Sequence, residues 1–367
     1  MKSLLLLVAI LVLGFKFYSV EFLATLLVIS FLIFFHELGH FLAAKSLGVK
    51  VEIFSIGFGK ALIQKEIKGT NYRLSALPLG GYVKLKGQDD FNPSEENYEQ
   101  DSYGILTPLK KIYILFAGPF FNLFLAFLLY VIIAYLGVQK LAPQVGNLSP
   151  NSPALQAGIK SGDRILELNG IKIQSFDEIS KLVTNEPLTL LVKRGEENLI
   201  FNLTPKIATT YNEFLQAVQK PIIGISPSGE NVVLYYKGLQ SLKYAYEESL
   251  NAASLIIRGI IKLITTDIEA KNLGGIITMV DITSKAASIG ISTLLIITAL
   301  ISVNLGILNL LPIPMLDGGH ILFNLYELVF RRKISLKTFE YLSYGGMVLL
   351  FGLMLFATYN DIMRFVK

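Results

Sequence analysis

The 367-residue sequence has no cysteine and only three histidines. Without cysteine there is no disulfide and no thiolate ligand, so any bound metal must be held by nitrogen and oxygen donors. Charge is also sparse, at 17% of residues. No glycine-rich phosphate loop occurs, no basic patch is interleaved with aromatics, and there is no internal repeat or low-complexity tract. These absences argue against a nucleic-acid partner. The net charge of +5 reads instead as loop charge that orients a chain in a membrane.

What is present is apolar. Hydrophobic residues make up 52% of the chain and the mean hydropathy is +0.54. That is too apolar for an ordinary soluble domain and points to an integral membrane protein. Two of the three histidines fall in one apolar run, Phe31 to Ala44, as His36-Glu37-Leu38-Gly39-His40. On a helix, positions i and i+4 share a face. His36 and His40 can therefore both offer an imidazole to one Zn²⁺, with Glu37 in reach of a metal-bound water as general base. Ionisable groups inside a lipid-length segment default to function.

The apolar runs divide the chain. Ser3 to Phe15 is short for a span, which needs about 20 residues, and resembles a signal-peptide core without a convincing cleavage site. It can span, lie on the surface or be removed. As one helix, Ser3 to Ala44 would be about 63 Å long, so a break near Gly14 to Ser19 is expected. Phe22 to Ala44 is the first secure span and Ile112 to Leu136 the second. Between them, Val49 to Leu85 has short alternating runs broken by glycine and proline, the signals of a small antiparallel sheet. Such a sheet is tolerated at membrane depth only if protein or a wet cavity covers it. Gln88 to Thr107 is a polar, acidic loop. Asn122, in the second span, should face a partner helix rather than lipid.

Ala142 to Pro205 is expected to be a separate water-facing α+β domain. Ser152-Pro153 opens a short helix that Gly158 closes. A strand Arg164 to Leu168, a helix Phe176 to Val183 and a hairpin of Leu188 to Lys193 with Leu199 to Leu203 follow. Roughly 65 residues can just bury a core of their own. Lys206 to Lys237 is read as an extended connector, and Leu239 to Ile264 as an amphipathic helix that lies on the membrane surface or packs on the soluble domain. Ala286 to Leu316 carries no charge, and its helix should stop near Pro312. Tyr341 to Asn360 is the last span. The expected divisions are 1–19, 20–138, 140–206, 207–284 and 285–367. The lysines between the first two secure spans, and Arg331, Arg332, Lys333 and Lys337 between the last two, place both loops in the cytoplasm. The α+β domain is then on the opposite side, and the HExxH lies toward the cytoplasmic end of its helix.

A catalytic zinc wants three protein ligands and one open position. With His36 and His40 supplying two, the third is His320, an Asp or a Glu. Asp317 is the best placed, as an isolated carboxylate in a Pro/Gly break beside a span. Its charge also offsets the cation where water is scarce. His320 is the rival, since histidine is the commonest metal ligand.

HELGH in the first span, PLGGYVK in the sheet, AGPFFN in the second span and NLLPIPMLDGGH in the third together resemble the site-2 protease family, in particular its bacterial regulator of sigma-E protease type. The resemblance runs from about Phe22 to the C-terminus. VGNLSPNSPALQAGIKSGDRILELNG resembles a PDZ domain of that family. The resemblance implies a polytopic α-helical membrane protein with about four core transmembrane helices, a membrane-associated β-sheet and one extracytoplasmic PDZ-like domain. It implies an intramembrane zinc metalloprotease of the bacterial inner membrane, with Zn²⁺ on His36, His40 and Asp317 and Glu37 as catalytic base. Asn304 and Asn309 fall where the family has substrate-positioning asparagines. Gly80 and Gly81 fall in the β-loop thought to hold the substrate as an added strand. The implied partners are the lipid bilayer and single-span proteins, such as trimmed anti-sigma factors or remnant signal peptides. The chain departs from the best-known members in having one PDZ-like domain rather than two, an extra N-terminal apolar piece, and NLGGIITMV without a proline after the glycines. Two rival functions compete. A metal transporter or sensor would carry further polar residues on several spans, which are sparse here. A non-catalytic scaffold would act through the PDZ-like domain alone.

Overall fold

The computed structural model describes residues 20–88, 99–214, 216–267 and 270–366. The expectations for residues 1–19 and for most of the acidic loop, 89–98, lie outside the described residues. Two compact units are formed. One runs up to Ile132 and resumes at Leu242, and the other is Ile133–Ser241.

Helix α1 (Val20–Ser46) is apolar along nearly its whole length and ends at Gly48 with a positive φ. Strands β1 (Val51–Ile67) and β2 (Thr70–Leu85) follow and pair with each other. Both double back. Ser55 lies opposite both Arg73 and Tyr82, while Ala61 lies opposite Ser75. The reversal in β1 falls at Gly57 (φ 90°) and Gly59 (φ 82°), a backbone region that side chains rarely adopt. Segment 51–56 is therefore interior to the sheet. Segment 81–85 lies along one side of it, and its outer edge pairs with no other strand among the described residues. The sheet packs on α1 through aromatics: Phe54 meets Phe34, Phe41 and Tyr72 at ring-centroid distances of 5.9, 5.2 and 6.0 Å.

Helix α2 (Pro108–Leu136) contains Pro119 in its interior. Its backbone comes so near α1 that a Cβ on Gly39 would lie 2.3 Å from the Ala117 carbonyl oxygen. Small residues allow such close approach between membrane helices.

The second unit begins at the end of α2. It contains β3 (Val138–Leu141), β4 (Val145–Leu148), α3 (Pro153–Gln156), β5 (Arg164–Leu168), β6 (Ile171–Lys172), α4 (Phe176–Leu182), β7 (Leu188–Arg194) and β8 (Glu197–Leu203). Ser152 caps α3 by accepting from the Leu155 N–H at 3.3 Å, with proline at the first turn. The sheet order is β6-β5-β7-β8. Alternate residues of β7, Leu188, Leu190 and Val192, are buried against Ile165, Leu168 and Ile179. Arg194 clamps Asp163 with two hydrogen bonds of 2.7 Å and also donates to the Gly158 carbonyl at 2.8 Å. Burial pushes the Asp163 carboxyl up, but the Arg194 hydrogen bonds and the Lys160 N–H outweigh it and hold the group below the usual carboxylate range.

The stretch read as an extended connector is part of this unit. Strands β9 (Lys206–Tyr211) and β10 (Ala217–Ile222) form a hairpin, β11 (Ile225–Pro227) pairs with β4, and β12 (Asn231–Leu234) pairs with β3. The short strands β3 and β4 have backbone groups to satisfy, and their partners come from a remote part of the chain.

Helix α5 (Leu239–Ile264) exposes Leu242, Tyr246, Leu250, Ile257 and Ile261 at helical spacing. Residues 276–284, placed with the connector by sequence, belong to a helix, α6 (Ile276–Ile289), that packs on α1 and on the next helix. Gly290 (φ 143°) separates it from α7 (Ile291–Asn309). A turn then leads to α8 (Asp317–Phe330) and α9 (Leu336–Val366). Asp361, fully buried on α9, accepts from the N–H groups of Gly275, Ile277 and Thr278 at 2.9, 3.0 and 3.1 Å, capping the start of α6. Among the described residues, four helices are long and apolar enough to cross a membrane: Leu23–Ser46, Pro108–Leu136, Ile291–Asn309 and Leu336–Arg364. The chain is a multi-pass membrane protein.

Candidate metal centre

Helix α1 sets His36 and His40 one turn apart, with their Nε2 atoms 3.2 Å from each other. The third group comes from the other end of the chain. Asp317 is the first residue of α8, after an extended Leu316. Two glycines let this turn close: a Cβ on Gly318 would lie 2.3 Å from the Leu310 and Leu311 oxygens, and one on Gly319 would lie 2.3 Å from the Ile313 oxygen. Asp317 Oδ2 is 3.2 Å from His36 Nε2, and Oδ1 is 3.5 Å from His40 Nε2. All three ligand atoms lie within 4.8 Å of one another. Donors about 2.0–2.1 Å from a four-coordinate zinc sit about 3.3 Å apart, so the three separations fit one such ion. The donor set is two imidazoles and a carboxylate, the chemistry of an open catalytic site. The three side chains are 12–16% exposed, which leaves the fourth direction accessible.

Helix α2 orients the imidazoles. His40 Nδ1–H donates to the Ile114 carbonyl at 2.8 Å, which leaves Nε2 as the lone pair facing Asp317. One turn further along α2, a Cβ on Gly118 would lie 2.2 Å from His40 Nε2. One more turn brings Asn122, whose fully buried amide lies 3.3 Å from His36 Nδ1. Sequence reading placed Asn122 against another helix but did not connect it to His36. The Ile114 carbonyl carries no side-chain signal at all. Gly39 and Gly118 were visible only as small residues inside apolar runs.

Glu37 projects from α1 toward the sheet. The Val83 backbone N–H is on the side of its carboxylate, and a Cβ on Gly81 would lie 3.2 Å from its Cγ. Gly80 is packed under the Phe58 ring, where a Cβ would fall 1.8 Å from Cε2. Asn304 lies within α7 and Asn309 is its last residue; both are half-buried. His320, the rival ligand, stays outside the group of three. Its ring stands 6.0 Å from that of Phe323 and 5.9 Å from that of Phe339.

Residues 24–353 match the profile described as Peptidase family M50. A Campylobacter jejuni protein named as a zinc metalloprotease is 68% identical over 366 residues, covering 100% of both chains. A Helicobacter pylori protein of the same name is 40% identical, covering 94% of this chain and 99% of its own. One from Agrobacterium fabrum is 33% identical, covering 92% and 94%. Among solved structures, the PDZ domain of an SdrC-like protein from Listeria monocytogenes is similar to 23% of this chain and 84% of its own, with 20% identity and a TM-score of 0.19.

Proposed function

The chain belongs to peptidase family M50 and is a zinc metalloprotease; from that premise we propose that it hydrolyses peptide bonds within or near the transmembrane segments of single-span proteins, with His36, His40 and Asp317 as its zinc ligands and Glu37 as its base. The observation that carries this reading is the convergence of the three ligand atoms, from α1 and α8, at tetrahedral spacing. Zinc held there supplies a Lewis acid and lowers the pKa of a water toward about 7. Glu37 takes a proton from the attacking water and returns it to the leaving amide nitrogen.

A transmembrane helix hides its amides, so the substrate must unwind before attack. Freed backbone groups need partners at membrane depth. The outer edge of segment 81–85, beside Glu37, supports their capture as an added strand, with Gly80 and Gly81 keeping that edge low. Asn304 and Asn309 are proposed to hold the other side of the unwound segment. The loop lysines support a cytoplasmic location for the centre and an extracytoplasmic one for the PDZ-like unit in a bacterial inner membrane. The substrates favoured are single-span proteins already shortened outside the membrane, such as anti-sigma factors or remnant signal peptides.

The test is metal analysis of purified wild type and Asp317→Ala, with cleavage of a panel of single-span substrates in detergent or vesicles. About one zinc per wild-type chain, loss of that zinc in the variant and cleavage confined to transmembrane segments support the reading. Zinc retained in full by Asp317→Ala removes the ligand assignment.

A further inference from the structure

Asn122 is fully buried, and its Oδ1 has no hydrogen-bond partner. Its Nδ2 is the amide atom that faces Nδ1 of His36, at 3.3 Å, so the amide must turn over for Oδ1 to meet the ring. The two histidines face Asp317 through Nε2. For both Nε2 lone pairs to point there, each ring must carry its proton on Nδ1. His40 has an acceptor for that proton in the Ile114 carbonyl. His36 needs one as well, and the group facing its Nδ1 is Asn122. The O and N of an amide are assigned, not seen, so the end facing the ring is decided by hydrogen-bond chemistry. A protonated Nδ1 can be met only by Oδ1.

We infer that Asn122 is a positioning residue for the metal centre, presenting Oδ1 to His36 Nδ1–H and thereby fixing the tautomer and plane of that imidazole. The inference rests on the proposed ligand set. Ile114, Gly118 and Asn122 lie at four-residue spacing, hence on one face of α2, and form a rail against which both rings of α1 are set. The Asn122 backbone carbonyl is engaged separately from the side chain: Ser302 on α7 donates its hydroxyl to it at 2.7 Å. Hydrogen-bond partners behind metal-bound imidazoles raise ligand basicity, and their loss typically lowers metal affinity by about 10–100-fold.

The experiment is zinc affinity by chelator competition on the full-length protein in detergent, for wild type, Asn122→Asp, Asn122→Leu, Asn122→Ala, Ser302→Ala and Asp317→Ala. Circular dichroism reports folding separately. Asn122→Asp keeps an acceptor and should hold zinc within a few-fold of wild type. Asn122→Leu and Asn122→Ala have no acceptor and should lose about 10–100-fold. Ser302→Ala, which touches only the backbone carbonyl, should hold zinc as wild type does. Folded Asn122→Leu or Asn122→Ala with wild-type affinity overturns the inference, as does an Asn122→Asp variant as weak as they are, since that would make Asn122 a donor. Should Asn122→Leu fail to fold, Asn122→Ala decides. Zinc retained by Asp317→Ala would instead remove the ligand set. Loss of zinc from Asp317→Ala together with wild-type affinity in Asn122→Leu removes only the role of Asn122.

Discussion

Gly118 lies against His40 so closely that an added Cβ would fall 2.2 Å from Nε2, the atom proposed to bind zinc. Real Cβ atoms are not found at that distance, so the ring or helix α2 must move. Gly118→Ala is expected to lower zinc affinity by at least about tenfold, the lower bound for disturbing a ligand's support. Gly352→Ala, on α9 where a Cβ meets open space, should leave it unchanged. Chelator competition on both variants checks this.

Glu37→Gln keeps the size of the side chain and removes its ability to take a proton. Zinc content is expected to stay at the wild-type level while cleavage of a single-span substrate falls by about 10²–10⁴-fold. Cleavage followed by gel shift, beside metal analysis of the same sample, separates these outcomes. Wild-type turnover in Glu37→Gln would leave the base unassigned.

Removal of zinc by a chelator should abolish cleavage, and added Zn²⁺ should restore it. The helices themselves should persist, because their backbone bonds are internal to each segment. Far-ultraviolet circular dichroism of the stripped protein tests the second half. Collapse of helical signal on chelation would make the ion structural.

The Asp163–Arg194 clamp gives the Ile133–Ser241 unit an acid limit. The folded Asp163 carboxyl titrates below its unfolded value of about 3.9. Its stabilisation is thus present above that pH and lost as pH falls through the lower folded value. Protection of the β7 amides from hydrogen exchange, relative to the intrinsic rate at each pH, should fall below about pH 4 in wild type, and less so in Asp163→Asn. At neutral pH, Arg194→Met should lower protection by about 1.5–3 kcal/mol, the usual loss for hydrogen bonds to a buried charge.

Asp361→Ala should loosen the first turn of α6 by about 0.5–2 kcal/mol, as for other lost helix caps, with Asp361→Asn closer to wild type. Exchange of the Ile277 and Thr278 amides reads this directly. Unchanged protection in Asp361→Ala would show that water or another group replaces the carboxylate.

Much of this was legible in the sequence because it rests on local periodicity. The four-residue spacing of His36 and His40 survives folding unchanged, since α1 is a regular helix. The Pro/Gly break before Asp317 marked where a long apolar run had to stop, and the helix does end at Asn309. What stayed hidden is non-local. Strands β11 and β12 find partners roughly eighty and more residues away, and no pattern within either strand names them. Helix α6 was folded into the connector because its apolar residues are mixed with Asp281 and Lys285, which pair with each other at 2.7 Å. Asp361 lies one residue past the span read as Tyr341 to Asn360, and nothing in the local pattern shows that it closes the start of another helix. His320 looked like a ligand by residue type, but its ring sits among phenylalanines.

Strands β3 and β12 are antiparallel partners, with Val138 opposite Leu234. The chain therefore enters and leaves the Ile133–Ser241 unit through one two-stranded stalk, its ends a single hydrogen-bonded rung apart. Any foreign module whose termini are neighbours can be spliced onto that stalk without asking the flanking segments to shift. Exchange of the whole insert is thus topologically simple, and it offers a direct way to learn whether the unit takes part in substrate selection at all.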